Sequence, residues 1–238
     1  MESDVPPRPP GTESGTARGV VRRMLQVAAQ YVVLAATMFV ASGRPSWVWA
    51  WAVLGVGLAI LAVNAAILPA ELIAERGRPR ENVKRWDKVL AAVIHIPFLG
   101  VPIVAGLDQR FGWSAEMAPA LHLGGLAGIA LGQGLFSWAM ASNRFFSTLV
   151  RIQADRGHTV ATGGPYRYVR HPGYVGMVVS LLGTTLALGS AWAILPAGLA
   201  ACLLVVRTAL EDRTLQEELP GYRDYARLVR HRLLPGIW

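Results

Sequence analysis

Six apolar segments, each long enough or nearly long enough to cross a bilayer as a helix, dominate this sequence. They cover residues 24–42, 47–70, 89–107, 118–141, 173–189 and 191–208. A helix needs about 20 predominantly apolar residues to span the hydrocarbon core. Lipid offers the backbone no hydrogen-bond partners, so such segments fold as helices rather than as open strands. The sequence therefore predicts an all-α, polytopic transmembrane bundle of about five to six spans.

The composition supports a membrane protein and argues against several other classes. Hydrophobic residues make up 53% of the chain and charged residues only 16%, whereas soluble domains average roughly 25% charge. The net charge is +8, but a nucleic-acid-binding protein needs a solvated basic face rather than long apolar runs. The single cysteine, Cys202, excludes a disulfide framework and a zinc site built on paired cysteines. We expect an integral membrane protein with no nucleic-acid partner and no metal.

The distribution of positive charge predicts the orientation of the bundle. With six spans, 21 of the 23 lysine and arginine residues fall on one side of the bilayer, and only Arg44 and Arg110 fall on the other. Short cytoplasmic loops carry the excess of lysine and arginine in membrane proteins. Both termini are therefore predicted to be cytoplasmic.

Composition also divides the chain into three parts. Residues 1–20 are rich in proline, glycine and serine, which predicts a disordered tail. Residues 21–141 contain the first four spans. Residues 142–238 contain a polar, aromatic loop, the last two apolar segments and a basic amphipathic C-terminal segment. We expect these last two segments to form a tight hairpin, and the C-terminal segment to return to the membrane surface.

The loop at residues 142–172 contains more than a solvated basic loop requires, although that simpler interpretation explains its arginines. Pro172 suits the first turn of a helix, where its missing N–H costs nothing. His171 would then lie near free backbone N–H groups and the positive end of the helix dipole, which attract a carboxylate or a phosphate. Tyr174 and Gly176 fall in the first turn, where a small residue would let a ligand approach. This pattern favours a pocket for an anionic, partly aromatic cofactor.

A second charged group closes the last apolar segment. Arg207 lies at its end, with Glu211 one helical turn later and Asp212 beside it. One interpretation is an i,i+4 ion pair worth about 0.2–0.5 kcal/mol. The other is a role toward a ligand, because a charge at the end of an apolar run is costly unless it pairs or serves a ligand.

Two further features of the spans concern packing. Gly124, Gly128 and Gly132 recur at intervals of four, and small residues at that spacing favour close helix contact in lipid. His95 and His122 are ionisable residues inside apolar segments. Such residues are functional candidates, although neither has an evident partner in the sequence, and a hydrogen-bonded structural role is the favoured interpretation.

Together, the loop and the C-terminal segment resemble the isoprenylcysteine carboxyl methyltransferase and phospholipid methyltransferase superfamily. The resemblance covers Asn143 to Gly176 and Arg207 to Pro235. Its most specific element is Arg-His-Pro-x-Tyr-x-Gly, at Arg170 to Gly176, with an acidic pair downstream. The other matching positions are Gln153, His158 to Val160, Gly164 to Tyr166, Arg207, Glu211, Asp212, Leu215, Tyr222, Tyr225 and the closing Leu-Leu-Pro.

The resemblance implies a membrane enzyme that uses S-adenosylmethionine, yields S-adenosylhomocysteine, and acts on a lipid-like acceptor that arrives from the bilayer. By position it implies that the cofactor pocket is formed by Gln153, His158, Gly164, Tyr166, Arg170, His171 and Tyr174. It also implies that Arg207, Glu211 and Asp212 are catalytic and face the acceptor. The family usually carries a second glutamate where this chain has Asp212.

Several alternatives stay open at this point. A carboxylate acceptor, such as that of an isoprenylcysteine, could be oriented by Arg207, whereas an amine acceptor would use Glu211 or Asp212 as a base. An NADPH-dependent sterol or isoprenoid reductase of related fold would need room for a dinucleotide. A non-catalytic scaffold or a small-solute transporter would leave the Arg-His-Pro element unexplained.

Overall fold

The computed structural model describes residues 12–77 and 83–238, and within these ranges the chain is helical without any strand. Two short 3₁₀ helices, Ala154–Arg156 and Gly164–Arg167, lie in the loop after α5. The predicted all-α fold is confirmed. The α-helices are α1 (Thr12–Ser42), α2 (Val48–Ile67), α3 (Ala70–Gly77), α4 (Arg85–Phe111), α5 (Pro119–Ala141), α6 (Pro172–Ala187), α7 (Ile194–Glu218) and α8 (Tyr222–Leu228).

Five helices are long and apolar enough to cross a membrane. They are α2, α4, α5, α7 and the part of α1 at Gly15–Ser42. The apolar helix α6 has 16 residues, which is about 24 Å at 1.5 Å per residue and shorter than a hydrocarbon core of about 30 Å. The count agrees with the predicted five to six spans, and the chain is a multi-pass integral membrane protein.

The first helix begins earlier than the sequence indicated. Residues 12–20, expected to belong to the disordered tail, form the start of α1, and the rest of the predicted tail lies outside the described residues. Two glycines explain the difference. A Cβ on Gly19 would approach the Cβ of Ala74 to 2.8 Å, and a Cβ on Gly77 would collide with the carbonyl oxygen of Gly19. The absence of side chains there lets α3 pack closely against the start of α1.

Glycines also bring α5 and α6 into close contact, as expected from the glycine spacing. The glycines that make the contact are not all the expected ones. A Cβ on Gly132 would lie 2.6 Å from the Gly176 carbonyl oxygen, and one on Gly125 would lie 2.6 Å from that of Gly183. Gly124 has no neighbour within 4 Å of that position. Gly176 therefore serves helix packing, and our expectation that it admits a ligand is wrong.

At the end of the bundle near the α6–α7 hairpin, hydrogen bonds join residues from different helices and loops. Asp108, 3% exposed, accepts hydrogen bonds from Ser190 Oγ at 2.5 Å and Ser114 Oγ at 2.6 Å. His122 is buried, stacks on Trp49 with 4.2 Å between ring centroids, and makes a 2.9 Å hydrogen bond to the Ala187 carbonyl oxygen. His122 is thus structural, and it does not line the ligand-sized cavity described below.

Candidate active site

A cavity of about 550 Å³ lies between the transmembrane helices and the loop that precedes α6, and ligand pockets typically enclose about 300–1,000 Å³. Side chains from α4, α6 and α7 form one part of its wall, and the loop and α8 form another. Seven of the ten predicted site residues line this cavity. They are His158, Tyr166, Arg170, His171, Tyr174, Arg207 and Glu211.

Arg207 lines the cavity and pairs with a residue that the sequence did not indicate. Its Nε and Nη2 groups donate to the two carboxylate oxygens of Asp87 at 2.7 and 3.0 Å, and Nη2 also donates to the Thr148 carbonyl oxygen at 2.9 Å. Asp87 is fully buried and also accepts the backbone N–H of Val150 at 2.7 Å. The considered ion pair with Glu211 does not form. Among the described residues Nη1 of Arg207 has no hydrogen-bond acceptor, so one edge of the guanidinium remains for a ligand.

Glu211 has a different partner, the phenol of Tyr174. The Tyr174 hydroxyl donates to Glu211 Oε2 at 2.5 Å, and the Arg207 guanidinium carbon lies 5.6 Å from the centroid of the Tyr174 ring. Both residues line the cavity. Tyr174 thus links the arginine and the carboxylate across α6 and α7.

Asp212 is fully buried and does not line the cavity. It accepts Arg170 Nε at 2.7 Å and Nη2 at 3.0 Å, His171 Nε2 at 3.2 Å, Tyr222 OH at 3.1 Å and Arg232 Nε at 2.8 Å. The backbone N–H groups of Arg170 and His171 donate to the carbonyl oxygens of residues 231 and 232. The geometry therefore makes Asp212 a connector between the Arg-His-Pro element and the C-terminal segment, rather than a group facing an acceptor.

Gln153 also lies outside the cavity lining, where it supports the loop. Its Nε2 donates to the Phe145 carbonyl oxygen at 2.6 Å, and its Oε1 accepts from Arg156 at 2.7 Å. Its backbone N–H donates to His158 Nδ1 at 3.2 Å, which orients the cavity-lining imidazole. Burial, reinforced by the charges of Arg151 and Arg156, lowers the pKa of His158 to about 4. His158 is therefore neutral at pH 7.

Gly164 and Tyr166 fix the next turn of the loop. Gly164 has φ +56°, and a Cβ there would collide with Ser142, so Gly164 permits a tight turn instead of lining the cavity. Tyr166 lines it, with its hydroxyl 3.3 Å from Asn143 Nδ2 and its carbonyl oxygen accepting Tyr225 OH at 2.7 Å. Burial raises the pKa of Tyr166 above its usual value, so the phenol stays protonated.

The start of α6 forms part of the cavity wall as the sequence predicted. His171 is the N-cap residue, Pro172 opens the helix and Gly173 lines the cavity. Across the cavity wall, the buried Oγ of Ser147 has no hydrogen-bond partner among the described residues. A buried polar atom without a partner is costly, and its place in the lining indicates that a ligand would satisfy it.

Sequence reasoning missed three kinds of contributor to this site. Asp87 opens a span that looked apolar, and only its acidic character at the helix start was a signal. Ser147 carries no motif. Tyr222 and Tyr225 were matched to the family without a role, and the structure places both in the cavity wall, with ring centroids 5.5 Å apart.

Comparison with known proteins points to one family. Residues 125–217 match the isoprenylcysteine carboxyl methyltransferase (ICMT) family. A protein-S-isoprenylcysteine O-methyltransferase of Schizosaccharomyces pombe is 43% identical over 63 residues, which cover 26% of this chain and 27% of that protein. Probable protein-S-isoprenylcysteine O-methyltransferases of Oryza sativa, subspecies indica and japonica, are 31% identical over 121 residues, which cover 48% of this chain and 60% of theirs.

The matched family region begins in α5 and ends in α7, so it contains the loop, the Arg-His-Pro element and the Arg207–Asp212 segment. The chain spans less than two thirds of the length of these relatives, and α1–α4 lie outside the family match. Residues 125–217 of this chain are thus similar to the isoprenylcysteine carboxyl methyltransferase family.

Proposed function

We propose that this protein transfers a methyl group from S-adenosylmethionine to the carboxylate of a lipid-like acceptor of the isoprenylcysteine type. The observation that carries the proposal is the cavity itself. Three features line it together: Arg207, which has one unused guanidinium edge, the N-terminus of α6, and the tyrosines of α8. The relatives named above are methyltransferases acting on isoprenylcysteine, which supports the same reaction for this chain.

The residues around the loop suit the cofactor. Its anionic carboxylate would lie at the positive end of the α6 dipole, beside the N–H of Gly173. Its adenine would find the rings of Tyr166, Tyr222 and Phe145, and Ser147 offers an unused hydroxyl. His158, held neutral, adds no positive charge against a cationic sulfonium. When bound, S-adenosylmethionine supplies a methyl group on a positively charged sulfur, which a carboxylate accepts without a general base.

The other part of the lining suits an apolar acceptor whose polar end reaches Arg207. Apolar side chains of α4, α6 and α7, including Ile94, Phe98, Met177 and Leu204, line the cavity. Arg207, held by Asp87, offers Nη1 to orient a carboxylate, and an oriented carboxylate is already nucleophilic at neutral pH. Glu211, fixed by Tyr174, supplies the negative charge that favours a cationic group nearby. These roles favour a carboxylate acceptor over an amine.

The C-terminal segment closes the site through Asp212. Arg170 and Asp212 join the loop to α7, and the hydroxyls of Tyr222 and Tyr225 donate to Asp212 and to the Tyr166 carbonyl oxygen. These bonds hold the two tyrosines of α8 at the cavity. We therefore assign Gln153, Gly164 and Asp212 as positioning residues. We also propose that the spans within residues 21–141 support a catalytic region at residues 142–238.

A tritium transfer assay tests this function. Membranes containing the protein, [methyl-³H]S-adenosylmethionine and N-acetyl-S-farnesylcysteine should yield a product that releases volatile tritiated methanol in base, the signature of a methyl ester. Arg207→Ala should abolish the signal, while Arg213→Ala, an exposed position on the same helix, should not. Base-stable label would indicate amine methylation. Preferential binding of NADPH over S-adenosylhomocysteine in calorimetry would instead favour the reductase.

We also propose that both termini and the site face the cytoplasm, because the positively charged segments lie at the site end of the bundle. With Cys202 replaced by serine, a cysteine at exposed Glu116 should react with a membrane-impermeant maleimide only from the outside of intact cells. A cysteine at exposed Arg223 should react only after lysis. The reverse pattern would contradict this orientation.

A further inference from the structure

The cavity wall contributed by α1 and α3 contains charged and polar groups that the proposed reaction does not use. Arg23 and Gln30 of α1 line the cavity together with Arg76 of α3. Arg23 and Gln30 are seven residues apart, about two helical turns, and therefore lie on one face of α1. All three residues fall outside the matched family region.

Most arginines of the lining have carboxylate partners, and Arg23 differs. Arg207 pairs with Asp87, Arg170 with Asp212, and Arg151 with Glu75 at 2.8 Å. Within residues 12–77 and 83–238, Arg23 forms no ion pair and no hydrogen bond. Arg23 directly precedes the apolar segment 24–42, so its charge either stays solvated at the interface or serves a cavity. Arg23 faces a cavity.

The neighbouring groups are hydrogen-bond donors as well. Gln30 makes no hydrogen bond with the described residues and offers an amide, and the Arg76 guanidinium lies over the rings of Phe136 and Phe146 at 5.7 and 5.4 Å. Glu211 is the one carboxylate among the described lining residues, and it is bound to Tyr174. Arg23 and Gln30, which have no partner within the described residues, are therefore complementary to an anion.

We propose that Arg23, with Gln30, forms a second anion subsite, so that the acceptor is a lipid-like molecule with two anionic groups. This inference rests on the proposed function: one group is the carboxylate that Arg207 orients and that becomes methylated. The other stays unmodified at the α1–α3 wall and selects dianionic acceptors over those with a single carboxylate. The selectivity would thus come from helices outside the family match.

Two matched probes test the subsite. N-acetyl-S-farnesylcysteine has one carboxylate and N-succinyl-S-farnesylcysteine has two. With saturating S-adenosylhomocysteine, in nanodiscs of zwitterionic lipid, the protein should bind the succinyl probe at least ~10-fold more tightly, as expected for hydrogen bonds to a charged group. Arg23→Gln should reduce this ratio to near one. Arg22→Gln, at the exposed neighbouring position, should leave the ratio unchanged.

Three results would overturn the subsite. The first is equal affinity for the two probes in the unmodified protein. The second is weaker S-adenosylhomocysteine binding in Arg23→Gln, which would assign Arg23 to the cofactor. The third is loss of the preference when phosphatidylglycerol is added to the nanodiscs, which would assign Arg23 to a lipid headgroup. Failure of the proposed function is separate, since it shows as absent methyl transfer to both probes whatever their affinities.

Discussion

The site contains two buried arginine–aspartate pairs with the same bidentate geometry and different positions. Arg207 and Asp87 join α7 to the start of α4 in the cavity wall, and one edge of the arginine is left unused. In the other pair, Arg170 binds Asp212, which lies outside the cavity lining and whose oxygens also accept from Tyr222 and Arg232. The first pair can act on a ligand, whereas the second fixes the walls that surround it.

The difference shows that pairing alone does not identify a catalytic arginine. What separates the pairs is how many hydrogen-bonding groups the protein has already used. Arg170 also donates Nη1 to the carbonyl oxygens of Val229 and Arg230, each at 2.8 Å, so all of its nitrogens are engaged by the protein. Of these two arginines, only Arg207 has a hydrogen-bonding group left for a substrate.

The largest effect should follow from Asp212→Asn. This change leaves Arg170 and Arg232 without a counter-charge, and breaking a buried ion pair typically costs about 3–5 kcal/mol. The unfolding temperature in detergent should fall because of this cost. The affinity for S-adenosylhomocysteine should fall at least ~100-fold, because the ligand must then restore the closure of the C-terminal segment on the pocket, and ~3 kcal/mol corresponds to about two factors of ten. Asp224→Asn, at an exposed pair with Arg227, is the control. Unchanged affinity would mean that the C-terminal segment does not organise the cofactor pocket.

Arg207→Lys should have the next largest effect, and this effect should be on the turnover rate rather than on cofactor affinity. Lysine retains the charge beside Asp87 but lacks the planar fork that orients a carboxylate. Turnover should fall at least ~100-fold, the scale expected for loss of a positioning group, while S-adenosylhomocysteine affinity stays within about threefold. Initial rates of methyl ester formation and calorimetry measure the two quantities. Arg213→Lys is the control, and near-normal turnover in Arg207→Lys would show that Arg207 is structural.

Tyr174→Phe should have a smaller effect on turnover, and it also tests the part of the site around Arg207. It removes the hydroxyl that holds Glu211 but keeps the ring near Arg207. Loss of one hydrogen bond to a charged group should lower turnover about tenfold. Tyr168→Phe, at an exposed tyrosine outside the cavity, provides the control. Equal rates for both variants would show that the position of Glu211 does not matter for transfer.

The smallest effect concerns pH and the loop. The pKa of His158 is about 4 in the folded protein, below the unfolded value of about 6.5. As the pH is lowered, His158 therefore becomes protonated in the unfolded state before it does so in the folded state. Its contribution to stability is complete above pH 6.5 and is lost as the pH falls through 4. The unfolding temperature should decrease between pH 6.5 and 4, and His158→Gln should flatten this decrease. An identical slope in the variant and the unmodified protein would contradict the assignment.

The sequence predicted the bundle well because its signals are local. Apolar length defines each span, and proline at position 172 correctly marked the start of α6. The early start of α1 was not predictable, since it depends on Gly19 meeting α3, more than 50 residues away in the chain.

The site residues also divide into those that a local motif predicts and those that depend on distant parts of the chain. Tyr166, His171 and Tyr174 could be placed in a pocket because they belong to one compact motif. The partner of Arg207 could not be named, because Asp87 lies 120 residues away and outside the family match. A neighbouring carboxylate at i+4 was the natural choice, but Tyr174 had already engaged Glu211. Similarly, Asp212 and Gln153 belong to the motif, yet only the packing shows that they lie behind the cavity wall.

The most direct test of the central claim is a double-mutant cycle on turnover with Asp87→Asn and Arg207→Lys. If Asp87 acts by holding Arg207, the double variant should be no slower than the slower single variant, since residues that act as a unit are not additive. The matched cycle of Arg207→Lys with Asp224→Asn, at the exposed control position, should be additive. Rate losses that multiply in the Asp87–Arg207 cycle would contradict the account, because the two residues would then contribute independently.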